Sequence, residues 1–249
     1  AYGNSNWDRL IEILNDQTEE DLRAWSDTWV KEEGMPVIAF KRNGNKVKIT
    51  QSDPWKKNRF WPVNFAVMVY SEKSGYDCYR VEMNTDKTIT EILLTDENSY
   101  ILPDWEGKGY GYFKTDFQST EWILKNWGKG QCIPRFAMLM NLYEGVMHND
   151  IKPESFLESM MRYMNTETDP QIFRQVLAYT GQCARLFMKR GSELRDRYED
   201  YLFRIADSHA DAAYRTLALK SFADLASSET SLERLYRIWN NPSEAARYR

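Results

Sequence analysis

The sequence is short of histidine: among 249 residues it has only two, His148 and His209. A zinc site of the His-Glu-x-x-His type needs two imidazoles one helical turn apart, so that both can bind the same ion. Neither histidine has a second one at that spacing, and this motif is therefore excluded. Both are predicted to be solvated or capping side chains, His148 after a helix and His209 in a turn.

Cysteine is also scarce, with Cys78, Cys132 and Cys183 far apart in the chain. Because no Cys-x-x-Cys occurs, neither a zinc ribbon nor a dithiol redox motif is available. We predict three reduced and mostly buried thiols. No Gly-x-Ser-x-Gly nucleophile elbow is present either, and the cysteines leave the cellular compartment open.

Excess charge and long apolar runs are missing as well. The net charge is -4 and the isoelectric point is near 5.5, so no basic patch predicts binding to nucleic acid or to an anionic membrane. The longest apolar runs, such as 65–70, are too short to span a bilayer. The content of 42% hydrophobic and 28% charged residues is typical of a globular protein.

Two helices are predicted before residue 34. A polar residue at 4–6 can cap the first, and Thr18 is predicted to cap the second. Gly34 is predicted to follow the last turn of the second helix, and Pro36 prevents that helix from continuing. The predicted apolar stripes are Trp7, Leu10, Ile11 and Leu14 in the first helix, and Leu22, Trp25 and Trp29 in the second.

From 35 to about 113 the apolar period becomes that of β-strands. Asn43-Gly44 is the commonest two-residue hairpin turn, and strands are predicted on either side of it. The predicted strands are 37–40, 46–50, 62–70, 76–83, 88–94 and 99–103. Short strands at this spacing favour a small antiparallel β-sandwich.

From Thr115 onward the pattern is helical, with Asp169-Pro170 as an N-cap followed by proline and Thr230-x-x-Glu233 as a capping box. Short connections favour stacked helix pairs, an irregular α-solenoid-like (HEAT-like) layer. The fold class is thus α+β and multidomain. The predicted apolar stripes are Phe136, Met140, Tyr143 and Met147; Ile172, Val176, Tyr179, Cys183 and Leu186; Leu194, Tyr198, Tyr201, Leu202 and Ile205; Tyr214, Leu217, Phe222 and Leu225; and Leu232, Leu235, Tyr236 and Trp239.

Charged residues alternate in sign between 195 and 204, where acids at 196, 199 and 200 lie among arginines. Mixed-sign pairs at helical spacing indicate an ordinary solvated helix face rather than catalytic carboxylates.

Three glycines at alternate positions, Gly107, Gly109 and Gly111, are similar to a phosphate-binding loop only at first sight. A phosphate loop needs a strand before it and a helix directly after it, and here aromatic residues separate the glycines. We predict a hairpin or an extended strand. Nearby aromatics leave two interpretations open, packing between sheets and domains or a sugar-binding surface, and they are Trp55, Trp61, Trp105, Tyr110 and Tyr112.

The order of several motifs resembles the region downstream of the catalytic domain in aminopeptidase N-type (gluzincin) zinc peptidases. The resemblance covers about 20–145; beyond it the chain is similar only in being helical. Asp104 departs from the family, which usually has asparagine there. The motifs are Trp25-x-x-x-Trp29, Gly34-Met35-Pro36-Val37, Gln51, Trp61-Pro62-Val63, Leu102-Pro103-Asp104, Gly109-Tyr110-Gly111-Tyr112-Phe113, and Arg135 with Asn141-Leu142-Tyr143-Glu144.

The resemblance implies a parent enzyme that uses one zinc ion to remove N-terminal residues from peptides. It implies that 1–33 are the last helices of a catalytic domain, 34–113 a β-sandwich, and 114–249 a shortened helical domain. That helical domain would cover and gate the active-site cleft, with the catalytic domain and peptide substrates as partners. No catalytic or metal residue is assigned to this chain, and its substrate-binding residues are left unknown. The alternative is a non-enzymatic interaction scaffold related to the same family.

Because the paired-histidine motif is missing, we expect the purified chain to hydrolyse no amino-acid anilide when zinc is supplied. A chromogenic assay with and without a chelator measures this directly. Turnover that the chelator abolishes would refute the prediction that this chain is catalytically inactive.

Overall fold

We analysed a computed structural model, which describes residues 6–84, 89–129 and 132–246. Two β-sheets precede a series of helices, so the fold is α+β, as predicted. The helices are α1 (Trp7–Asn15), α2 (Leu22–Ser26), α3 (Phe117–Asn126), α4 (Cys132–Met147), α5 (Pro153–Tyr163), α6 (Pro170–Phe187), α7 (Glu193–Ser208), α8 (Ala212–Leu225), α9 (Glu229–Asn240) and α10 (Pro242–Ala245). The strands are β1 (Val37–Asn43), β2 (Lys46–Ser52), β3 (Val63–Ser71), β4 (Gly75–Met83), β5 (Ile89–Leu93), β6 (Tyr100–Pro103) and β7 (Tyr112–Lys114).

The N-terminal helices begin at side-chain caps. The Asn6 side chain accepts the backbone N–H of Arg9 and caps α1. Asp21, not the predicted Thr18, caps α2, because its carboxylate reaches two backbone N–H groups. A single π-helical turn, Asp27–Lys31, continues α2 and has Glu32 as its C-cap. Gly34 has a positive φ, +99°, as predicted, but it lies one residue beyond the C′ position predicted for it.

The strands form a four-stranded sheet in the order β5-β2-β1-β7 and a three-stranded sheet in the order β4-β3-β6. Most pairs are antiparallel, as predicted, but β7 runs parallel to β1. The segment 104–111 connects β6 in the three-stranded sheet to β7 in the four-stranded sheet. β7 therefore pairs with the edge of β1 without a hairpin between them. The turn between β1 and β2 is Gly44-Asn45, one residue later than predicted, because Asn43 pairs with Lys46.

One apolar core lies between the two sheets. Ile38 and Ile49 from the first sheet and Val67 from the second are fully buried. Trp61 is also buried, at 1% exposure, and therefore cannot form part of a sugar-binding surface. Each such side chain contributes about 1.5–3 kcal/mol through burial.

Gly111 marks the entry to β7 and cannot be replaced without strain. Its φ is +153°, and an added Cβ would lie 2.9 Å from the carbonyl oxygen of Pro36. Glycine therefore allows the backbone to approach closely here. The adjacent Tyr112 N–H donates to that same Pro36 oxygen at 2.9 Å.

The helical region, 117–246, has a second apolar core, to which α3–α8 contribute. Asp169 caps α6 ahead of Pro170, as predicted. The predicted face of α4 is wrong at Met140 and Met147, which are 43% and 44% exposed. The buried α4 side chains instead include Leu139, Leu142 and Val146, which point towards α5 and α6. Leu186, predicted for the α6 stripe, is also exposed.

Helix α9 departs from the sequence prediction in two ways. Its N-cap is Ser228 rather than the predicted Thr230 box, and Ser228 Oγ accepts the backbone N–H of Ser231. Three side chains of its predicted buried stripe are exposed: Leu232 at 52%, Tyr236 at 72% and Trp239 at 85%. Over the described ranges, no helix has both the length and the hydropathy needed to cross a membrane.

The predicted solvated face of α7 contains a buried ion pair. Arg195 and Glu199 are 4% and 0% exposed, and Arg195 Nε lies 3.5 Å from Glu199 Oε1. The Arg195 guanidinium donates to carbonyl oxygens at the C-terminal ends of α6 and α8. Glu199 accepts hydrogen bonds from Ser227 and Ser228 at the start of α9. The pair therefore connects three helix ends.

Burial alone would raise the pKa of Glu199, but the hydrogen bonds from Ser227 and Ser228 outweigh it and bring the pKa to about 2. Since the folded-state pKa lies below the ordinary 4.5, this stabilisation is complete above pH 4.5 and is lost as the pH falls towards 2.

We expect Glu199→Gln to lower the unfolding free energy by about 2–3 kcal/mol at pH 7, because it leaves the Arg195 charge uncompensated. It should also flatten the loss of stability between pH 4.5 and 2. Urea denaturation across this pH range measures both effects. Glu233→Gln, at an exposed position on α9, is the matched control. Equal effects of the two variants would contradict a stabilising role for the buried Arg195–Glu199 pair.

Candidate functional site

An exposed apolar surface on the N-terminal helices is the strongest candidate for a functional interface. Six large side chains on α1, α2 and the π-helical turn are each 41–48% exposed. We call this set the N-terminal apolar face: Trp7, Leu10, Ile13, Leu14, Trp25 and Val30. Clustered apolar side chains on a surface mark a site of contact with another surface more often than isolated ones do.

Polar contacts hold the two helices of this face together. Trp7 Nε1 donates to Ser26 Oγ at 2.8 Å and so joins α1 to α2. Lys31 lies between Asp8 at 2.8 Å and Asp27 at 3.0 Å, and these hydrogen bonds raise its pKa. All three charged groups are exposed, so the ion pairs orient the helices more than they stabilise them.

Arg59 connects the N-terminal helices to the β region, residues 37–114. Its guanidinium donates to Asp53 Oδ1 at 2.9 Å, to Glu32 at 3.0 Å and to the Glu33 carbonyl oxygen at 2.6 Å. The hydrogen bond from Arg59 is the main reason that the pKa of Asp53 is well below its ordinary value. The guanidinium also lies over the Trp61 ring, 4.8 Å from its centroid. The apolar face is therefore fixed relative to the sheets.

A cleft of about 740 Å³ separates α2 from the β region. Trp25 and Trp29 line one wall, and Tyr110 lies opposite, with its ring 5.8 Å from Trp29 in an edge-to-face arrangement. Glu20 and Asp21 add carboxylates to the lining. Lys108 also lines the cleft, so the lining combines apolar side chains with charged groups of both signs.

The glycine-containing segment forms one side of this cleft, and two of its backbone N–H groups donate to a side chain of the same segment. Asp104 has φ +44°, and its Oδ1 accepts the N–H groups of Lys108 and Gly109 at 3.2 and 2.9 Å. Burial is the main cause that raises the pKa of Asp104. The segment leads into β7, not into a helix, in agreement with the sequence prediction.

The backbone of β7 and its side chains connect the β region to the helical region. The Phe113 N–H donates to Asn141 Oδ1 of α4 at 3.0 Å. Tyr112 donates its hydroxyl hydrogen to Asp150 Oδ2 at 3.0 Å, and Lys114 pairs with the other Asp150 oxygen. Burial is the main cause that raises the pKa of Tyr112. The sequence places Asn141 within a family-like motif but gave no sign that Asp150 takes part.

The two histidines lie apart and have aromatic neighbours. His148 stacks on Tyr112 with ring centroids 4.5 Å apart, after the end of α4 as predicted. His209 stacks on Tyr214 at 4.6 Å, in the turn before α8. Within the part of the chain that the structure describes, no three His, Cys, Asp or Glu side chains come close enough to hold a metal ion. The described residues therefore do not fit a zinc site.

Cys183 is buried, as predicted, and burial raises the pKa of its thiol to about 12. Cys78 is exposed on β4, which corrects the prediction for that residue. The side chain of Cys132 lies outside the described residues. Trp55 and Tyr110 are 61% and 60% exposed, whereas Tyr112 is buried.

Comparison with known proteins gives distant relatives, and no family model matches the chain. The chain is 22% identical over 209 residues to Tricorn protease-interacting factor F2 of Thermoplasma acidophilum, covering 82% of this chain and 24% of that protein. It is 18% identical over 171 residues to the protein of the same name from Thermoplasma volcanium, covering 67% of this chain and 20% of that protein. It is 20% identical over 267 residues to Aminopeptidase M1-B of Oryza sativa subsp. japonica, covering 96% of this chain and 30% of that protein.

These relatives link the chain to the M1 aminopeptidases. The link is distant, at 18–22% identity. The chain spans only 20–30% of the length of these relatives.

We expect the double variant Leu10→Glu/Trp25→Ser to reduce the fluorescence of anilinonaphthalene sulfonate added to the chain, because both side chains belong to the N-terminal apolar face. The folding stability should change by only about 0.5 kcal/mol per site, since both positions are exposed. The matched control is Phe117→Ser, which removes an aromatic ring that is 81% exposed away from that face. A larger loss of dye fluorescence in Phe117→Ser than in the double variant would contradict the identification of the N-terminal apolar face as the main exposed apolar surface.

Proposed function

We propose that the chain is a non-catalytic, C-terminal part of a zinc aminopeptidase that removes N-terminal residues from peptides. The N-terminal apolar face is the observation that carries this proposal. It is fixed to the β region by Arg59 and leaves six large apolar side chains half exposed. Such a face suits a permanent contact with the catalytic part of the parent, which the relatives' greater length allows.

In this proposal the two sheets act as a β-sandwich spacer and the helices form a solenoid-like cover. The shared core between the sheets supports the first role. The β7 contacts to Asn141 and Asp150 support the second, because they set where the helices lie relative to the sheets. A cover of this kind excludes water, limits the length of the peptide that enters, and sets access to the cleft.

Zinc and the catalytic residues belong, in this proposal, to another part of the parent. The donor side chains of the described residues do not gather at one place. The role of this chain is therefore to position and enclose the catalytic part, and it takes no step in the chemistry itself.

A second candidate function is a non-enzymatic interaction scaffold. One observation favours it: two of the relatives are named as interacting with Tricorn protease. In this case the N-terminal apolar face would contact a separate protein and not a catalytic part of the same enzyme.

Separate production of the parent's zinc-motif segment and of this chain tests the proposal. We expect the two to co-elute from size exclusion and the Leu10→Glu/Trp25→Ser variant to elute alone. Phe117→Ser should co-elute normally. The complex should hydrolyse long peptides more slowly, relative to an amino-acid anilide, than the zinc-motif segment does alone.

Failure of the wild-type pair to associate would overturn the proposal. Association with an unchanged ratio of peptide to anilide hydrolysis would refute the covering role. A parent whose zinc motif is degraded would favour the scaffold.

A further inference from the structure

A second cavity lies between the outer face of the three-stranded sheet and helices α3 and α4, away from the N-terminal apolar face. Its volume is about 370 Å³, which is within the range of sites that bind small organic molecules. Met68 of β3 and Leu102 of β6, which face each other across the strand pair, are part of its lining. The cavity is therefore walled by both the β region and the helical region.

The cavity has an aromatic lining. Trp105 follows β6, Trp122 lies on α3 and Trp127 follows it directly, while Tyr76 comes from β4. Trp122 is held by stacking on Tyr100, with ring centroids 4.9 Å apart. Trp127 is fixed because its indole N–H donates to the Arg135 carbonyl oxygen at 2.8 Å. Rings held in place in this way favour a flat aromatic ligand.

The charged side chains of the lining have one sign. Lys129 and Arg135 are present, and none of the described residues that line the cavity is Asp or Glu. The charge of Arg135 is balanced by Glu167, whose carboxylate lies 3.0 Å from its guanidinium. Lys129 Nζ donates to the neutral Asn126 side chain at 3.0 Å. No carboxylate of the described ranges forms an ion pair with Lys129, so its charge is available to an anion.

We propose that this cavity binds a small aromatic carboxylic acid, with the ring between the indoles and the carboxylate at Lys129. The apolar walls provide most of the contact area, and Lys129 distinguishes an acid from a neutral analogue. Because the walls come from both regions, the bound acid would contact both and stabilise their packing. This inference is independent of the proposed function.

Titration calorimetry with 2-naphthoate tests the proposal on the full chain. We expect saturable one-to-one binding with a dissociation constant of about 1 mM or below. The neutral analogue 2-naphthalenemethanol should bind about threefold more weakly, as an exposed charge pair implies. Added 2-naphthoate should also raise the melting temperature.

Lys129→Gln should weaken 2-naphthoate binding about threefold and leave the affinity for 2-naphthalenemethanol unchanged. Lys125→Gln, at an exposed lysine on α3 that pairs with Glu121, is the matched control and should change neither affinity. Tyr76→Ala should weaken the binding of both ligands by the same factor, because it removes part of the aromatic lining.

Absence of saturable binding would overturn the proposal. So would binding that Lys129→Gln leaves unchanged or that Lys125→Gln weakens equally. Weaker 2-naphthoate binding in Leu10→Glu/Trp25→Ser would also overturn it, since it would place the ligand on the N-terminal apolar face.

Discussion

The three residues of strand β7, Tyr112–Lys114, belong to the β region by their backbone pairing and to the helical region by their other hydrogen bonds. Along one side β7 completes the four-stranded sheet next to β1. Along the other it donates a backbone N–H to Asn141, and its side chains bind Asp150. Leaving the buried Phe113 N–H unpaired would cost about 1–3 kcal/mol. Because Asn141 of α4 accepts this N–H, the position of α4 is tied to the end of the sheet. The cavity and the proposed cover both depend on this connection.

Buried charge organises the helical region in a related way. Arg195 and Glu199 join the ends of α6, α8 and α9, and Arg135 binds Glu167 between α4 and the segment before α6. Each guanidinium lies where a carboxylate offsets its charge, because an unpaired charge in the interior is strongly unfavourable. The exposed large apolar side chains, by contrast, include six on the N-terminal helices and three on α9. The helical region thus combines an apolar core with buried ion pairs that join its helix ends, while α9 leaves large apolar side chains exposed.

Sequence patterns predicted the strands, the helices and several boundaries, because period, glycine and proline act locally. Gly34 and Asp169-Pro170 are examples of boundaries that the structure confirms. The patterns failed where a distant partner decides the outcome. Arg195 and Glu199 have the spacing of a surface ion pair, and only α6, α8 and α9 bury them. Likewise, the stripe of α9 has apolar spacing but too few neighbours to cover it.

The same limit applies to the candidate sites. The apolar residues of α1 and α2 were found as helix stripes, but sequence gave no means to tell a stripe that faces the core from one that faces outward. The parallel pairing of β7 was missed because its partner strand is more than seventy positions away in the chain. At its entry, Gly111 presents only a hydrogen atom to the carbonyl oxygen of Pro36. A methyl group at this position would push β7 away from β1 and shift the hydrogen bonds that hold α4. The relative orientation of the β region and the helical region therefore depends on Gly111 having no side chain.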